Sequence, residues 1–400
     1  MFAHIDAYPG DPILSLNENF AQDPRQDKVN LTIGVCFDDE GRLPLMAAVR
    51  EAEAALVADQ GPRPYLPMAG IAGYRQAVQQ LVFGENSPAL AEGRVATIQT
   101  LGGSGALRVG ADFLKRYFPE AQLWISDPSW DNHRVVFERA GFQVNSYPYY
   151  DDATGGLRFD AMIDALRQVP KGHVVLLHAC CHNPTGVDLN ESQWREVIAV
   201  VKSRGLLPFV DMAYQGFGTG LQDDAFVIHE LVREGVPCLV ANSFSKNFSL
   251  YGERCGGLSV VCANAEEAGR VLGQLTGAVR ANYSNPPTHG ARIVGKVLTT
   301  PALRQSWEAE LAAMRERIAA MRTAIHDNLQ RLVGDADLSR YLAQRGMFTY
   351  TGLSAEQVDT LRTEHGVYLV RSGRMCVAGL NRGNVAVVAK AIAGVMAAKG

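Results

Sequence analysis

The 400-residue sequence lacks most features that mark secreted, membrane-spanning or nucleic-acid-binding proteins. Its seven cysteines form no CxxC pair, which argues against a zinc site and a disulfide framework. No run of like charges occurs among the 38 basic and 42 acidic residues, so we expect neither nucleic acid nor a membrane surface as a partner. The longest apolar stretches, at 174–181 and 385–398, are too short or too interrupted to span a bilayer.

What is present is the composition of a large globular protein. Hydrophobic residues make up 47% of the chain and charged residues 20%, and the 39 glycines and 18 prolines follow no repeat. A chain of this length can bury a core without disulfides or a structural metal. The first ten residues show no signal-peptide pattern, and the scattered cysteines are typical of reduced thiols, so we expect a cytoplasmic protein.

The middle of the chain alternates short apolar runs with helical patterns, such as the one over Gly105–Tyr117. This alternation predicts a mostly parallel sheet, because strands covered by helices on both faces are apolar throughout. The predicted strands are Val95–Leu101, Gln122–Ser126, Val174–His178, Leu206–Asp211, Cys238–Asn242 and Leu258–Cys262.

Both ends of the chain differ from this pattern. A long helical pattern over Pro301–Leu332 precedes two short strand-like runs, Met347–Thr351 and Gly366–Leu369, and a final helix over Arg382–Ala398. The first 45 residues hold one strand-like run, Lys28–Ile33. We therefore predict a large α/β domain at 46–305 and a smaller α/β domain built from 1–45 and 306–400.

Three polar features follow the predicted strands, where ligands of open α/β sheets bind. Gly102–Gly105 (GGSG) leads into a helix and is either an anion-binding turn or a structural one. Asp211 ends a strand and is either paired with a cation or an N-cap. Lys246, with Ser243 before it and Arg254 after it, is either a solvated loop residue or a desolvated amine able to form a Schiff base.

Together these residues are the parts that pyridoxal 5′-phosphate (PLP) requires. A lysine can bond its aldehyde, a carboxylate can pair with its ring nitrogen, and a Gly/Ser/Arg group can bind its phosphate. The sequence therefore predicts a PLP site at the carboxyl edge of the sheet, and no metal.

The chain also resembles the class I aminotransferases of fold type I, in their aspartate and aromatic branch. The resemblance runs from Asp11 to Gly379. The fold it implies is a large domain with a mostly parallel sheet of the seven-stranded type, plus the smaller α/β domain. It rests on the motifs CHNPTG at Cys181–Gly186, DMAYQGF at Asp211–Phe217, SFSKN at Ser243–Asn247, RANYSNPP at Arg280–Pro287 and PSWDNH at Pro128–His133.

The resemblance assigns a role to each residue that matches a family motif. Catalysis would fall to Lys246, Asp211 and Tyr214, with Lys246 bonded to PLP. His133 would orient Asp211, with His178 nearby. PLP would be bound by Gly103, Ser104, Trp130, His133, Asn183, Asp211, Tyr214, Ser243, Lys246 and Arg254, with Tyr65 from a neighbouring subunit. Substrate would be bound by Gly34, Trp130, Asn183, Arg374 and, from that neighbour, Arg280, which implies a homodimer with shared sites.

Several positions bear on the choice of substrate. Phe37, Leu43, Pro64 and Ser104 replace the Lys, Thr, Asn and Thr that are typical of aspartate aminotransferases, and they favour aromatic amino acids. Cys36 and Arg371 replace a tyrosine and a small residue that are usual in the family, and Asn285 resembles the aspartate branch instead of the aromatic one. Arg371 either changes the field near Arg374 or is simply solvated.

The predicted reaction is transamination of tyrosine, phenylalanine and tryptophan with 2-oxoglutarate, with aspartate also accepted. An aspartate aminotransferase with little aromatic activity is the alternative. A lyase or decarboxylase on the same fold is disfavoured by the two carboxylate-binding arginines, Arg280 and Arg374. A sensor joined to a DNA-binding module is disfavoured because no basic patch is present.

Overall fold

The computed structural model describes residues 1–7, 10, 12–59, 61–334 and 336–397. Asp11, where the resemblance begins, and Ala398, where the last predicted helix ends, lie outside the described residues. The chain divides into two compact units. Unit 1 comprises Met1–Leu43 and Arg317–Gly400, and unit 2 comprises Pro44–Glu316. The predicted boundary after 305 lies in the same long helix as the division at Glu316, where a continuous helical pattern gives no boundary signal.

The strands of the described residues are two or three residues long in unit 1 and two to seven residues long in unit 2. They are β1 Val29–Asn30, β2 Val95–Leu101, β3 Leu123–Asp127, β4 Val144–Pro148, β5 Tyr150–Asp151, β6 Gly156–Leu157, β7 Val174–His178, β8 Leu207–Met212, β9 Cys238–Ser243, β10 Cys255–Val261, β11 Phe348–Tyr350, β12 Val367–Tyr368 and β13 Arg374–Cys376.

The helices range from one turn to nine turns. They are α1 Pro12–Gln22, α2 Ala47–Asp59, α3 Ala72–Phe83, α4 Pro88–Ala91, α5 Gly102–Tyr117, α6 Asp131–Arg139, α7 Phe159–Gln168, α8 Glu191–Arg204, α9 Phe226–Arg233, α10 Ala265–Asn282, α11 His289–Thr299, α12 Pro301–Val333, α13 Ser339–Ala343, α14 Ala355–His365 and α15 Val385–Ala397. Within the described ranges, no helix is both long and apolar enough to cross a membrane.

Unit 2 is built on a mixed sheet with the strand order β2-β10-β9-β8-β7-β3-β4. All neighbouring pairs in it are parallel except those of β10, which is antiparallel to both β2 and β9. Leu176, Phe209 and Leu258 are fully buried, as expected for strands covered on both faces. The predicted α/β class with a mostly parallel seven-stranded sheet is therefore confirmed.

Two strands of this sheet, and the helix that follows β2, differ most from the prediction. β10 begins at Cys255, not Leu258, because Gly256 and Gly257 have low strand propensity and conceal its start. α5 begins at Gly102, not Gly105, and Gly102 has a positive φ of 65° that glycine adopts without strain. β4 was not predicted, because this edge strand is largely polar and only partly buried.

Unit 1 contains two small two-stranded sheets and helices from both ends of the chain. β1 pairs in parallel with β12, and β11 pairs antiparallel with β13. The first pairing joins the start of the chain to its last hundred residues, as expected for a unit built from both termini. β1 spans only two residues, so the predicted run Lys28–Ile33 is mostly irregular.

Candidate functional site

The strand order of the sheet brings the polar residues that follow its parallel strands to one edge. β2, β3, β7, β8 and β9 all run toward this edge and end there. β10 runs the opposite way, and its first residue, Cys255, pairs with Leu101, the last residue of β2. Gly256 likewise pairs with Ser243 at the end of β9. Arg254 therefore lies beside Ser243 and the start of α5, although it is far from Gly102 in sequence.

The first turn of α5 is packed tightly against this arginine and serine. A Cβ added to Gly102 would lie 2.7 Å from Nη2 of Arg254, and one added to Gly103 would lie 3.3 Å from Cβ of Ser243. Arg254 also donates from Nη1 to the Tyr251 carbonyl at 2.9 Å. The helix start with its free backbone N–H groups, a guanidinium and a hydroxyl thus lie together, and this set of donors is suited to a phosphate.

Asp211, at the end of β8, is buried and bonded to a histidine. Its Oδ2 lies 2.8 Å from Nε2 of His133 on α6, and Nδ1 of His133 lies 2.9 Å from Oγ of Ser129. Burial raises the pKa of Asp211, but the hydrogen bond with His133, helped by the charge of Lys246, outweighs burial and leaves this pKa below its usual value. The structure thus supports a buried, ionised carboxylate able to pair with a cationic ring nitrogen.

A row of histidines in edge-on contact continues from this pair. The His178 ring centroid lies 5.0 Å from that of His133 and 4.2 Å from that of His182. Within the described part of the chain, neither ring nitrogen of His178 has a hydrogen-bond partner. Burial, with the nearby His133, lowers the pKa of His178 to about 3. His178 is therefore neutral near pH 7.

Lys246 is half-buried in the loop after β9, close to Tyr214. Its Nζ lies 5.0 Å from the centroid of the Tyr214 ring. Nδ2 of Asn183 lies 3.5 Å from the Tyr214 hydroxyl. The amine, the phenol and the amide, which come from three separate loops, thus meet at the same edge of the sheet. The Trp130 ring, just before α6, lies 5.2 Å from the His133 ring.

The residues expected to bind a substrate carboxylate lie in unit 1. Arg374 is buried, donates from Nη2 to the Thr32 carbonyl at 2.7 Å, and places its guanidinium 4.4 Å from the Phe348 ring. A Cβ on Gly34 would lie 2.7 Å from Cζ of the same ring. Gly34 and Arg374, far apart in sequence, therefore share one aromatic neighbour.

The two residues expected to serve a neighbouring subunit are on the surface of unit 2. Tyr65 is 91% exposed. Arg280, near the end of α10, is exposed and donates from Nη1 to Oγ of Ser284. Such positions leave both side chains accessible to a second chain.

The positions that bear on substrate choice differ in their surroundings. The Phe37 side chain is half-buried, while its N–H donates to the Ala378 carbonyl at 3.2 Å and its carbonyl accepts from Nη2 of Arg317. Cys36 is buried, whereas Leu43 and Pro64 are exposed. Arg371 is exposed and pairs with Asp359 at 3.1 Å, which agrees with the solvated interpretation.

Sequence reasoning did not single out three polar residues of this edge. Ser129 binds His133, Ser245 lies 3.1 Å from Ser243 through the two hydroxyls, and His182 stacks on Tyr149 at 4.0 Å. The signal for Ser129 was its position four residues before His133 and just ahead of the first residue of α6. All three lie within motifs already quoted, which shows that whole motifs carried more information than their best-known positions.

His133, His178 and Asp211 could also be considered as metal ligands. One ligand atom from each lies within 4.8 Å of the others. Asp211 is already engaged by His133, so the arrangement is explained by the hydrogen-bonded pair. The expectation of no metal stays a prediction.

Comparison with known proteins adds a family match and full-length relatives. The family model for aminotransferase class I and II matches residues 26–392. A tyrosine aminotransferase of Klebsiella pneumoniae is 57% identical over 99% of this chain and 100% of its own length. An aspartate aminotransferase of Pseudomonas aeruginosa is 50% identical with the same coverage.

Solved structures agree with these relatives. An aromatic amino acid aminotransferase from Burkholderia cenocepacia is 69% identical, covers 99% of both chains and superposes with a TM-score of 0.96. An aromatic-amino-acid aminotransferase from Burkholderia pseudomallei, covalently bound to pyridoxal phosphate, is 53% identical with the same coverage and a TM-score of 0.97.

Proposed function

Because the chain belongs to the class I and II aminotransferase family, we propose that it transfers amino groups from aromatic amino acids to 2-oxoglutarate with PLP as cofactor. The observation that carries this proposal is the edge of the sheet in unit 2. There a half-buried lysine, a buried carboxylate and a glycine-rich helix start lie at or just after the ends of β9, β8 and β2 along the same edge. The relatives named for aromatic substrates, at 57% and 69% identity, support the substrate class.

Asp211 and the residues around it would hold the cofactor ring. When bound, PLP withdraws electrons from the substrate Cα. Asp211 stays ionised through its bond with His133 and would keep a proton on the ring nitrogen. Gly103, Ser104, Ser243 and Arg254 would bind the phosphate, and Trp130 would stack on the ring. Tyr214 and Asn183 would donate hydrogen bonds to the ring oxygen.

Lys246 would have two tasks. Its Nζ would hold the cofactor covalently, and after displacement by the substrate amine it would move the proton from the substrate Cα. Partial burial limits the water around this amine. The amine also lies beside the ring of Tyr214, a residue that would contact the cofactor.

Two arginines would select acids. Arg374 would bind the α-carboxylate through its planar fork, with Asn183 and the Gly34 backbone assisting. Arg280 and Tyr65 would both be contributed by a second copy of the chain. In this site Arg280 would bind the side-chain carboxylate of 2-oxoglutarate, and Tyr65 would reach the cofactor phosphate. The exposure of Tyr65 and Arg280 supports this shared, homodimeric arrangement. A cytoplasmic location belongs to the same proposal.

The aromatic preference is supported by residues as well as relatives. If position 37 held a lysine, an uncharged substrate ring would desolvate its amine without offering a charged partner, which costs free energy. Phe37 has no charge, so this desolvation cost does not arise. An aspartate aminotransferase with little aromatic activity is the second candidate. It is favoured by the aspartate aminotransferase relative at 50% identity and by Asn285.

Single-turnover kinetics test the proposal. The holoenzyme is mixed with phenylalanine, tyrosine, tryptophan or aspartate, and the oxo acid formed per site is measured. We expect one oxo acid per site, with aromatic rates at least equal to the aspartate rate, and no reaction in Lys246→Ala. Aromatic rates below about one hundredth of the aspartate rate would favour the second candidate. An amine product would indicate a decarboxylase instead.

A matched pair of variants tests the substrate determinant. Phe37→Lys should lower the ratio of aromatic to aspartate kcat/KM by about tenfold, because the added amine must be desolvated against an uncharged ring. Phe118→Lys adds the same charge at an exposed position beyond α5 and should leave the ratio unchanged. Equal effects of the two changes would show that Phe37 does not determine the choice of substrate.

A further inference from the structure

Asn247 links the loop of Lys246 to the loop of Tyr214. Its Nδ2 donates to the carbonyl of Gln215 at 3.2 Å. Asn247 directly follows Lys246, and Gln215 directly follows Tyr214. The bond therefore joins the immediate neighbours of the amine and the phenol, and it is buried, where water cannot replace it.

The acceptor side of this link is itself fixed. Gln215 is buried, and its Nε2 donates to the carbonyl of Leu81 at 3.1 Å and to that of Leu221 at 2.9 Å. Leu81 lies on α3, so the Tyr214 loop is tied to a helix outside the sheet. The Gln215 carbonyl that accepts from Asn247 therefore belongs to a residue that is itself held in place.

The donor side is held by a tryptophan on α12. Nε1 of Trp307 donates to the backbone carbonyl of Asn247 at 2.7 Å, and the Trp307 ring is fully buried. The ring stacks on Phe248 with centroids 4.6 Å apart, and Phe248 contacts Phe244 edge-on at 5.3 Å. The side chain and the backbone carbonyl of Asn247 are thus both hydrogen-bonded within unit 2. In sequence, Lys246 lies between Phe244 and Phe248, which contact each other.

We propose that Asn247, anchored by Trp307, is a positioning residue that sets the Lys246 amine relative to the Tyr214 phenol. The proposal rests on the proposed function, in which Nζ holds the cofactor and the phenol donates to the cofactor's ring oxygen. A well-placed phenol stabilises negative charge on that oxygen and thereby favours the unprotonated cofactor linkage. Displacing one loop from the other weakens this hydrogen bond, so the linkage binds its proton more tightly.

The test is a pH titration of the visible absorption band of the holoenzyme. Trp307→Phe keeps a buried aromatic ring but removes the N–H donor, and Asn247→Ala removes the amide. We expect each change to raise the midpoint of the titration by about 0.5 to 1 pH unit. The turnover number should fall while the KM for the amino acid changes less, since neither residue is placed at the substrate carboxylate.

Trp194→Phe is the matched control. Trp194 is a second buried tryptophan, on α8, and its loss should leave the midpoint unchanged. If Asn247→Ala does not fold, Trp307→Phe alone decides the outcome. Unshifted midpoints in both variants, or an equal shift in Trp194→Phe, would overturn the proposal. A wild-type protein with no lysine-bound absorption band would instead overturn the proposed function, so the two failures are distinguishable.

Discussion

At the scale of single residues, the surroundings of Arg374, the residue proposed to bind the substrate α-carboxylate, depend on one absent side chain. Gly34 has an ordinary φ, so its conformation does not require glycine. Space requires it, because a Cβ would lie 2.7 Å from Cζ of Phe348. The same ring lies 4.4 Å from the Arg374 guanidinium, so a displaced ring would displace the arginine.

Gly34→Ala is therefore expected to weaken binding of the substrate α-carboxylate. We expect KM for every amino acid substrate to rise by about tenfold, because a displaced guanidinium would lose roughly one charge-assisted hydrogen bond to the carboxylate, worth about 1.5–3 kcal/mol. The cofactor absorption band, which depends on unit 2, should keep its pH midpoint. Steady-state kinetics and absorption measure the two effects.

Gly394→Ala serves as the control within the same unit. Gly394 is exposed on α15, and no described atom lies within 4 Å of a Cβ placed there. That change should leave KM unaltered and stabilise the helix slightly. An unchanged KM in Gly34→Ala would show that Arg374 does not depend on the Phe348 ring.

At the scale of secondary-structure elements, the row of His133, His178 and His182 joins α6, β7 and the loop after β7. His178 and His182 are buried, and burial lowers both of their pKa values, to about 3 for His178. In the unfolded chain both histidines have pKa values near 6.5. Between these values the unfolded state binds protons that the native state does not. The free energy of unfolding therefore falls as pH drops below about 6.5.

This sign leads to a prediction for stability in acid. The wild-type holoenzyme should lose stability between pH 7.5 and pH 5.5, measured by urea unfolding at both values. His178→Leu should lose less over the same range, because the leucine has no proton to bind in the unfolded state. His4→Gln, at an exposed position, should lose as much as wild type. An equal loss in His178→Leu would show that His178 is not the group that titrates.

At the scale of the whole molecule, the site of one chain is expected to need a second copy. Lys246 belongs to one chain, whereas Arg280 and Tyr65 would act in the site of its neighbour. Their exposed positions on unit 2 support this exchange. A symmetric dimer would contain two such composite sites.

Mixing two inactive variants tests the exchange. Lys246→Ala and Arg280→Ala should each fail with 2-oxoglutarate as acceptor. After co-refolding, hybrid dimers should contain one intact site, and roughly a quarter of wild-type activity should return. A mixture of Lys246→Ala with Asp211→Ala is the control, because its hybrids contain no intact site when both residues act in their own chain. No recovery in the first mixture would show that Arg280 acts within its own chain.

Much of the fold could be predicted from the sequence, for a local reason. Buried parallel strands are continuous apolar runs, so β2 and β7 were predicted with their observed ends. The prediction weakened where burial is partial, as in β4, and where glycine replaces the apolar residues, as at the start of β10. Asp211, Lys246 and the glycine-rich start of α5 were predicted because each lies at or just after a strand end, whereas Tyr65, Arg280 and Arg374 were predicted from the family motifs alone.

What the sequence determined by itself was the chemical inventory: an amine at Lys246, a carboxylate at Asp211, and a glycine-rich helix start, each at the end of a strand. The tertiary structure decided how distant partners reach these groups, although His133 and Arg254 were already expected from the family resemblance. The reversed direction of β10 brings Arg254 to Gly102, and the buried links of His133 and Asn247 reach across loops that are distant in sequence. Such contacts depend on strand order and register, which are properties of the packed sheet and leave no periodic signal in the chain.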